Sequence, residues 1–317
     1  MQHDRIDPES LAPLADLCAQ YPGGTNAIAD LSERRRVNKG LVADYLSTVP
    51  PNPRVRTEDV TIPGPPEAPD LRVRVYRPAQ GAPSRPAILF LHGGGMIMGD
   101  LDNDHLNAVT LCDEVGALVV SVDYRLAPEH PYPAAPEDCY AGLTWLADNS
   151  HELGVDSDRI AVFGASAGGG LTVAVCLMAR DRRGPRVRLM MAIYPMLDDR
   201  NNTPSSLEIL NVGVWDRAAN LEAWAWYLRG EPADVYAAPA RADDLRRLPP
   251  AFLDVGTVDL FRDEDIDFAR RLMDAGVPCE LHVYPGAYHA SEKIAPDAGL
   301  SRRIVRTRID ALRRALH

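Results

Sequence analysis

A serine between small residues follows an apolar run at residues 160–163. Residues 164–168 read Gly-Ala-Ser-Ala-Gly, which matches the G-x-S-x-G pattern, and a run with helical spacing comes next. A nucleophile on a sharp turn between a strand and a helix needs small neighbours, because larger side chains would clash where the chain folds back. The positive end of the helix dipole behind Ser166 also favours developing negative charge. Ser166 is the candidate nucleophile, and a plain glycine-rich turn is the alternative.

Three glycines follow His92, directly after a second apolar run at residues 87–91. Their backbone N–H groups are exposed where a side chain would block a substrate. Together with the N–H of Ala167, those of Gly93 and Gly94 predict a three-donor oxyanion hole, in which one donor is worth ~2.7–4 kcal/mol. A flexible loop or an anion-binding turn is the alternative. A second motif at the end of a second strand argues against that alternative.

A serine nucleophile needs a base, and the base needs an orienting carboxylate. His289 lies just after the last strand candidate, and Asp259 follows the strand candidate at residues 251–255. Asp198 or Asp199, after the preceding strand, is the alternative acid. The chain order Ser166, Asp259, His289 is that of α/β-hydrolases.

The other titratable residues near these motifs have structural interpretations. His282 lies inside the last strand candidate and is expected to be packed or at the surface, and His92 is expected to be structural. Residues 263–265 read Asp-Glu-Asp and are interpreted as a helix cap or a solvated turn.

The elements that position these residues alternate between strands and helices. Continuous apolar runs, typical of strands covered on both faces, occupy residues 87–91, 117–122, 160–163, 189–194 and 251–255. Alternating runs at 55–62 and 71–76 predict an antiparallel edge hairpin, and 280–284 alternates again. Helical spacing occurs at 104–115, 135–149, 168–181, 261–275 and 299–316. The pattern predicts an α/β fold with a mostly parallel central sheet and helices on both faces.

Two stretches without strand patterns interrupt this alternation, at residues 1–49 and 197–245. They contain helical patterns at 11–21, 27–46 and 217–228, and three of the four tryptophans, Trp215, Trp224 and Trp226, lie in the second stretch. We expect a helical cap over the carboxyl edge of the sheet, where open α/β sheets bind ligands. The catalytic domain would then comprise 50–196 and 246–317. Ordinary helical decoration, with the tryptophans as core, is the alternative.

Composition excludes several classes of protein. The 317 residues are 46% apolar and 25% charged, which is close to the globular average, so wholesale disorder is not expected. The net charge of −11 has the wrong sign for a nucleic-acid partner. No apolar run approaches the ~20 residues of a membrane span, and no secretory signal is visible. Five scattered cysteines predict reduced thiols in the cytoplasm rather than a zinc site.

On these motifs the chain strongly resembles the hormone-sensitive-lipase-like group of bacterial esterases, family IV, over residues 50–317. The resemblance rests on residues 92–95, 123–133 and 164–169 and on the contexts of Asp259 and His289. It implies the α/β-hydrolase fold with a helical cap. It also implies the triad Ser166, Asp259 and His289 and oxyanion donors at Gly93, Gly94 and Ala167.

Three positions depart from the pattern of the group. Ala165 stands where many members have Asp or Thr, and Ala290 stands where glycine is common after the histidine. The usual Asp-Pro-Leu around the acid is Asp-Leu-Phe at 259–261. Within 123–133, Arg125 and Glu129 look suited to buried pairing rather than to chemistry.

The activity expected on this basis is a serine carboxylesterase that acts on short-chain or small-molecule carboxylic esters through an acyl-enzyme, with no metal or cofactor. Met96, Ile97, Trp215 and Trp224 are the candidates for the pocket wall. An amide, carbamate, lactone or acetylated-natural-product hydrolase would use the same groups. A non-catalytic ligand receptor of this fold is a further alternative, although such receptors have lost the triad histidine. A homodimer is left open.

Overall fold

A single eight-stranded sheet forms the centre of the protein in the computed structural model, which describes residues 2–80 and 84–317. The strands are β1 (Val55–Ile62), β2 (Leu71–Pro78), β3 (Arg85–Leu91), β4 (Leu118–Val122), β5 (Val155–Ala165), β6 (Leu189–Ile193), β7 (Ala251–Val258) and β8 (Cys279–Tyr288). Their spatial order is β1-β2-β4-β3-β5-β6-β7-β8. Strand β2 is antiparallel to β1 and β4, and the other neighbours are parallel. The predicted edge hairpin and mostly parallel sheet are confirmed.

Helices cover both faces of this sheet. The α-helices of the described residues are α1 (Pro8–Gln20), α2 (Leu31–Thr48), α3 (His105–Val115), α4 (Ala134–Asp148), α5 (Ser150–Leu153), α6 (Ala167–Asp181), α7 (Pro204–Glu208), α8 (Arg217–Leu228), α9 (Arg262–Asp274), α10 (Ser291–Ile294) and α11 (Gly299–Leu316). Alternate residues of β3 enter different cores: Leu89 lies in the cluster that contains residues of α4, α6 and α9, whereas Ile88 lies in the cluster with α3 and α11. Burial on both faces explains why the central strands read as continuous apolar runs.

Several strands are longer than the runs that predicted them, and the extensions of β5, β7 and β8 matter for the site. Strand β5 begins at Val155, five residues before the predicted run, because Val155 pairs with Arg85 across an irregularity in the ladder. Strand β7 continues to Val258, which pairs with Tyr288. Asp259 and His289 are therefore the next residues after two paired strand ends.

The two stretches that carry the predicted cap contact each other through polar groups. The Arg34 guanidinium on α2 pairs with Glu222 on α8 at 2.6 Å. The Asn26 amide donates to the carbonyl oxygen of Val214. Arg35 donates to the carbonyl oxygens of Ile97 and Ala127 and so joins α2 to the segments that follow β3 and β4. The boundaries of the cap at 1–49 and 197–245 stay a prediction.

In residues 2–80 and 84–317, no helix combines the length and the apolarity that a bilayer crossing requires.

Candidate active site

Ser166 occupies a sharp turn between β5 and α6. Its backbone has φ 59° and ψ −120°, a conformation that L-residues rarely adopt, and the side chain is buried at the edge of a cavity. A Cβ on Gly164 would lie 2.1 Å from the carbonyl oxygen of Gly168. A Cβ on Gly168 would lie 2.0 Å from the carbonyl oxygen of Leu91. The small residues of the motif thus allow the turn to close and β3 to approach it.

Three side chains from separate loops meet at the carboxyl edge of the sheet. Nε2 of His289 lies 2.9 Å from Oγ of Ser166, and Nδ1 lies 2.9 Å from Oδ2 of Asp259. All three residues are buried. The second oxygen of Asp259 accepts the N–H of Phe261 at 3.0 Å, which fixes the carboxylate in place. The structure brings together the three residues that the sequence proposed as a triad.

The alternative acids are engaged elsewhere. Asp198 pairs with Arg200 at 2.7 Å, and Asp199 pairs with Arg241 at 2.6 Å. The departure at 260–261 is accommodated, because the ring of Phe261 packs edge-on against His289 with centroids 5.3 Å apart. Asp259 is therefore the carboxylate placed to orient the imidazole.

His92 and His282 lie in structural environments. His92 is buried and stacks on Tyr124, with Nδ1 2.8 Å from the carbonyl oxygen of Gly93. Burial lowers the pKa of His92, which disfavours its charged form. His282 lies on β8 and pairs with Glu280 at 2.9 Å.

A buried polar network supports His289 from behind, and the sequence interpretation missed it. The ring of Tyr194 packs edge-on against His289 at 4.7 Å, and its hydroxyl donates to Glu292 at 2.6 Å. Arg308 donates to Glu292 at 2.7 Å and to Asp254 at 2.6 and 3.0 Å. Burial acts to raise the pKa of Glu292, but Arg308 and the Tyr194 hydroxyl outweigh it and hold that pKa at about 2.

One sequence signal could have revealed this network. Arg308 lies between Ile304 and Leu312 at helical spacing, so α11 carries a charged residue on its apolar face. A charge in such a position needs a buried partner.

The glycine loop partly matches the expected oxyanion hole. Gly93 and Gly94 line the cavity beside Ser166. Within the described chain, no residue accepts a hydrogen bond from the N–H of Gly94, Gly95 or Ala167. The N–H of Gly93, in contrast, donates to Oδ2 of Asp104 at 3.4 Å. The N–H groups of Gly94 and Ala167 therefore have no acceptor among the described residues, whereas that of Gly93 has one.

The cavity that contains Ser166 and His289 has a volume of about 560 Å³. Trp215 lines it, as expected, with its Nε1 held by Asn220 at 3.1 Å. Met96, Ile97 and Trp224 do not line it, since all three are buried in the core. Both strandless stretches supply wall residues, which include Leu17, Leu41, Val42, Tyr45, Leu46, Gly213 and Val214.

The interpretation of residues 263–265 as a helix cap or a solvated turn needs correction. Glu264 and Asp265 are buried rather than solvated, because the start of α9 packs against the chain after β6. Glu264 accepts the N–H of Leu197 at 2.9 Å, and burial raises its pKa well above the usual range.

The pairing expected within 123–133 is partly present. Arg125 pairs with the buried Asp138 at 2.7 Å. Glu129 is exposed rather than buried and pairs with Arg35 from α2.

Comparison with known proteins places this geometry in a family. Residues 88–292 match the profile of a family described as having the α/β-hydrolase fold. The chain belongs to the α/β-hydrolases. Esterase LipI of Mycobacterium tuberculosis is 39% identical over 75% of each chain, and carboxylesterase NlhH of the same organism is 37% identical over 84% of each. The solved structure of a bacterial heroin esterase covers 100% of both chains with a TM-score of 0.93 and 35% identity.

These matches bear on two predictions from the sequence. The α/β-hydrolase fold is confirmed. Membership of the hormone-sensitive-lipase-like group is confirmed as well. The assignment of individual site residues in this α/β-hydrolase is based on the geometry described above.

Proposed function

We propose that the protein is a serine carboxylesterase that hydrolyses small-molecule carboxylic esters through an acyl-enzyme. The observation that carries the proposal is the continuous chain of contacts from Ser166 through His289 to Asp259, with 2.9 Å at each step. The esterase relatives confirm the prediction of a carboxylic ester hydrolase. The serine, histidine and carboxylate roles are our assignment from this geometry.

Two half-reactions follow from the arrangement. Oγ of Ser166 attacks the ester carbonyl carbon while Nε2 of His289 takes the hydroxyl proton, and the carbonyl becomes a tetrahedral oxyanion. The imidazolium then returns that proton to the departing alcohol as the C–O bond breaks. Water attacks the acyl-enzyme in the same way, and the acid and free Ser166 result. Asp259 holds Nδ1–H and stabilises the imidazolium throughout.

The oxyanion would be bound by backbone amides whose hydrogens have no other acceptor. The N–H groups of Gly94, which precedes Ser166 in the sequence, and of Ala167, which directly follows it, meet this condition. Donors that are fixed before reaction act without reorganisation, which makes this one of the larger contributions to catalysis. We therefore assign Gly94 and Ala167 as oxyanion donors and remove Gly93 from that role.

The size and wall of the cavity favour compact esters. A volume of about 560 Å³ is within the ~300–1,000 Å³ range of small-molecule sites. Its wall from α2 is largely apolar, and Trp215 stands beside His289 with ring centroids 6.5 Å apart. We infer that residues 1–49 and 197–245 act as a cap that limits the substrate to short or compact groups.

Acetyl esters of bulky alcohols are the substrate class to test beside simple alkyl esters, because a heroin esterase matches the whole chain.

We also propose that the protein is located in the cytoplasm. All five cysteines are free thiols, which reducing compartments maintain.

The test is a rate series on 4-nitrophenyl esters from acetate to dodecanoate, with naphthyl acetate and a matched anilide. We expect the highest kcat/KM for short acyl groups and little anilide cleavage. Ser166→Ala should leave only a residual ~10³–10⁴-fold advantage over water. Ser157→Ala, an exposed serine at the start of β5, is the control and should keep full activity. Retained hydrolysis in Ser166→Ala would reject the proposal. A native protein that does not turn over any ester would also reject it, because this is the result expected of a ligand receptor.

A further inference from the structure

An ion pair between a buried carboxylate and a partly exposed lysine lies beside the glycine loop and has no role in the steps above. Asp104 immediately precedes α3, and its side chain is 3% exposed. One oxygen accepts the N–H of Gly93 at 3.4 Å, and the other contacts Nζ of Lys293 at 2.5 Å. Both Asp104 and Lys293 line the cavity that contains Ser166. The pair therefore joins the glycine loop to α10, the short helix that follows His289.

The charge of Asp104 has an unfavourable sign for ester hydrolysis. Negative charge develops on the substrate oxygen next to this loop, and a carboxylate nearby would oppose it in a low-dielectric site. The other titratable groups coupled to Asp104 are His92, whose charged form is disfavoured by burial, and the buried phenols of Tyr124 and Tyr194. Lys293 is the cation in direct contact with it.

The residue type at 293 fits this role. The chain has 34 basic residues, and Lys39 and Lys293 are its two lysines. An ammonium is a compact point charge, whereas a guanidinium is a wide planar fork. The neighbouring Glu292 is held by Arg308 and Tyr194, so it does not compete for Lys293.

We propose that Asp104 and Lys293 are positioning residues of the oxyanion hole. Asp104 holds the N–H of Gly93 and so fixes the loop that presents the amide of Gly94. Lys293 neutralises Asp104, so that this anchor does not repel the oxyanion. The inference rests on the proposed function, since it concerns the oxyanion of ester hydrolysis.

Four variants separate the anchoring role from the charge. Lys293→Met leaves an uncompensated carboxylate, and we expect kcat to fall by roughly tenfold or more with a small change in KM, because the ground-state ester is uncharged. Asp104→Asn keeps an acceptor for Gly93 and removes the carboxylate charge, so its kcat should be at least about tenfold higher than that of Lys293→Met. The double variant, which combines both changes, should recover most of the rate. Asp104→Ala removes the acceptor and should be at least about tenfold slower than Asp104→Asn.

Lys39→Met is the matched control, because Lys39 is 73% exposed and pairs with Asp100 at the surface. Melting temperatures identify any variant that is misfolded, and the kcat comparison is read on the folded ones. An undiminished rate for Lys293→Met contradicts the charge role. Equal rates for Asp104→Ala and Asp104→Asn contradict the anchoring role. A purely structural pair would make Asp104→Asn and Lys293→Met equally slow and would not be rescued in the double variant. In each of these cases, wild-type turnover that depends on Ser166 would still support the proposed function, so the two hypotheses fail separately.

Discussion

Replacing Arg308 by Met tests the network behind His289. Arg308, Asp254 and Glu292 have side-chain exposures of 7%, 1% and 8%, so the substitution leaves two buried carboxylates without their cation. Removing one partner of a buried ion pair costs about 3–5 kcal/mol. At roughly 2–4 °C per kcal/mol for a domain of ~150–250 residues, the melting temperature should fall by about 6–20 °C.

The pH dependence of this loss has a definite sign. In the native protein Arg308 helps to hold the pKa of Glu292 at about 2, so this contribution to stability is present above the unfolded pKa of ~4.3 and is lost only as the pH falls toward 2. Burial already raises the pKa of Asp254 in the native protein. In the variant, burial without the cation raises the folded pKa of Asp254 further and raises that of Glu292 above its unfolded value. Stability is then lost as the pH rises. The difference in melting temperature between the variant and the wild type should therefore become smaller as the pH falls from 8 to 5.

The assay is thermal unfolding at one scan rate, at several pH values between 5 and 8. Arg313→Met is the control on the same helix, because Arg313 pairs with Glu114 at the surface, where ion pairs contribute ~0–1 kcal/mol. A loss below about 2 °C for Arg308→Met, or a gap that widens toward pH 5, would refute the account of the network.

Three further predictions concern the site. Asp259→Asn should lower kcat by roughly 10⁴-fold by favouring the wrong imidazole tautomer; a loss below tenfold in steady-state kinetics would contradict the acid assignment. Gly168→Ala should abolish activity or folding, because its Cβ would lie 2.0 Å from the carbonyl oxygen of Leu91. Gly40→Ala has open space and should instead stabilise by ~0.5–1 kcal/mol, which paired melting curves would check. Trp215→Ala should shift the rate series toward bulkier esters; an unchanged profile would exclude Trp215 as a specificity wall.

The parts of the site that lie next to regular elements were predictable from the sequence. Continuous apolar runs identify strands buried on both faces, and the loop that follows each such strand must lie at the carboxyl edge of a parallel sheet. Ser166, Asp259 and His289 all fall at such positions. Their meeting follows from the strand order, because β5, β6, β7 and β8 are successive neighbours in the sheet.

Contacts between distant segments were not predictable in this way. Nothing local to Asp104 indicates that it reaches Gly93 and Lys293, which is 189 positions away. Met96 and Ile97 follow the glycines directly, yet the turn there directs them into the core, and Met98 lines the cavity instead. Hydrophobic periodicity identifies the buried face of a helix or strand, but it does not indicate where an irregular turn directs its side chains.

Covalent trapping tests the central assignment most directly. The native protein is incubated with a fluorophosphonate, and the adduct is measured by intact mass and located by peptide mapping. We expect one phosphonyl group per chain, on Ser166, with no adduct in Ser166→Ala and slow labelling in His289→Ala. An unmodified native protein, or a phosphonyl group on another residue, would contradict it.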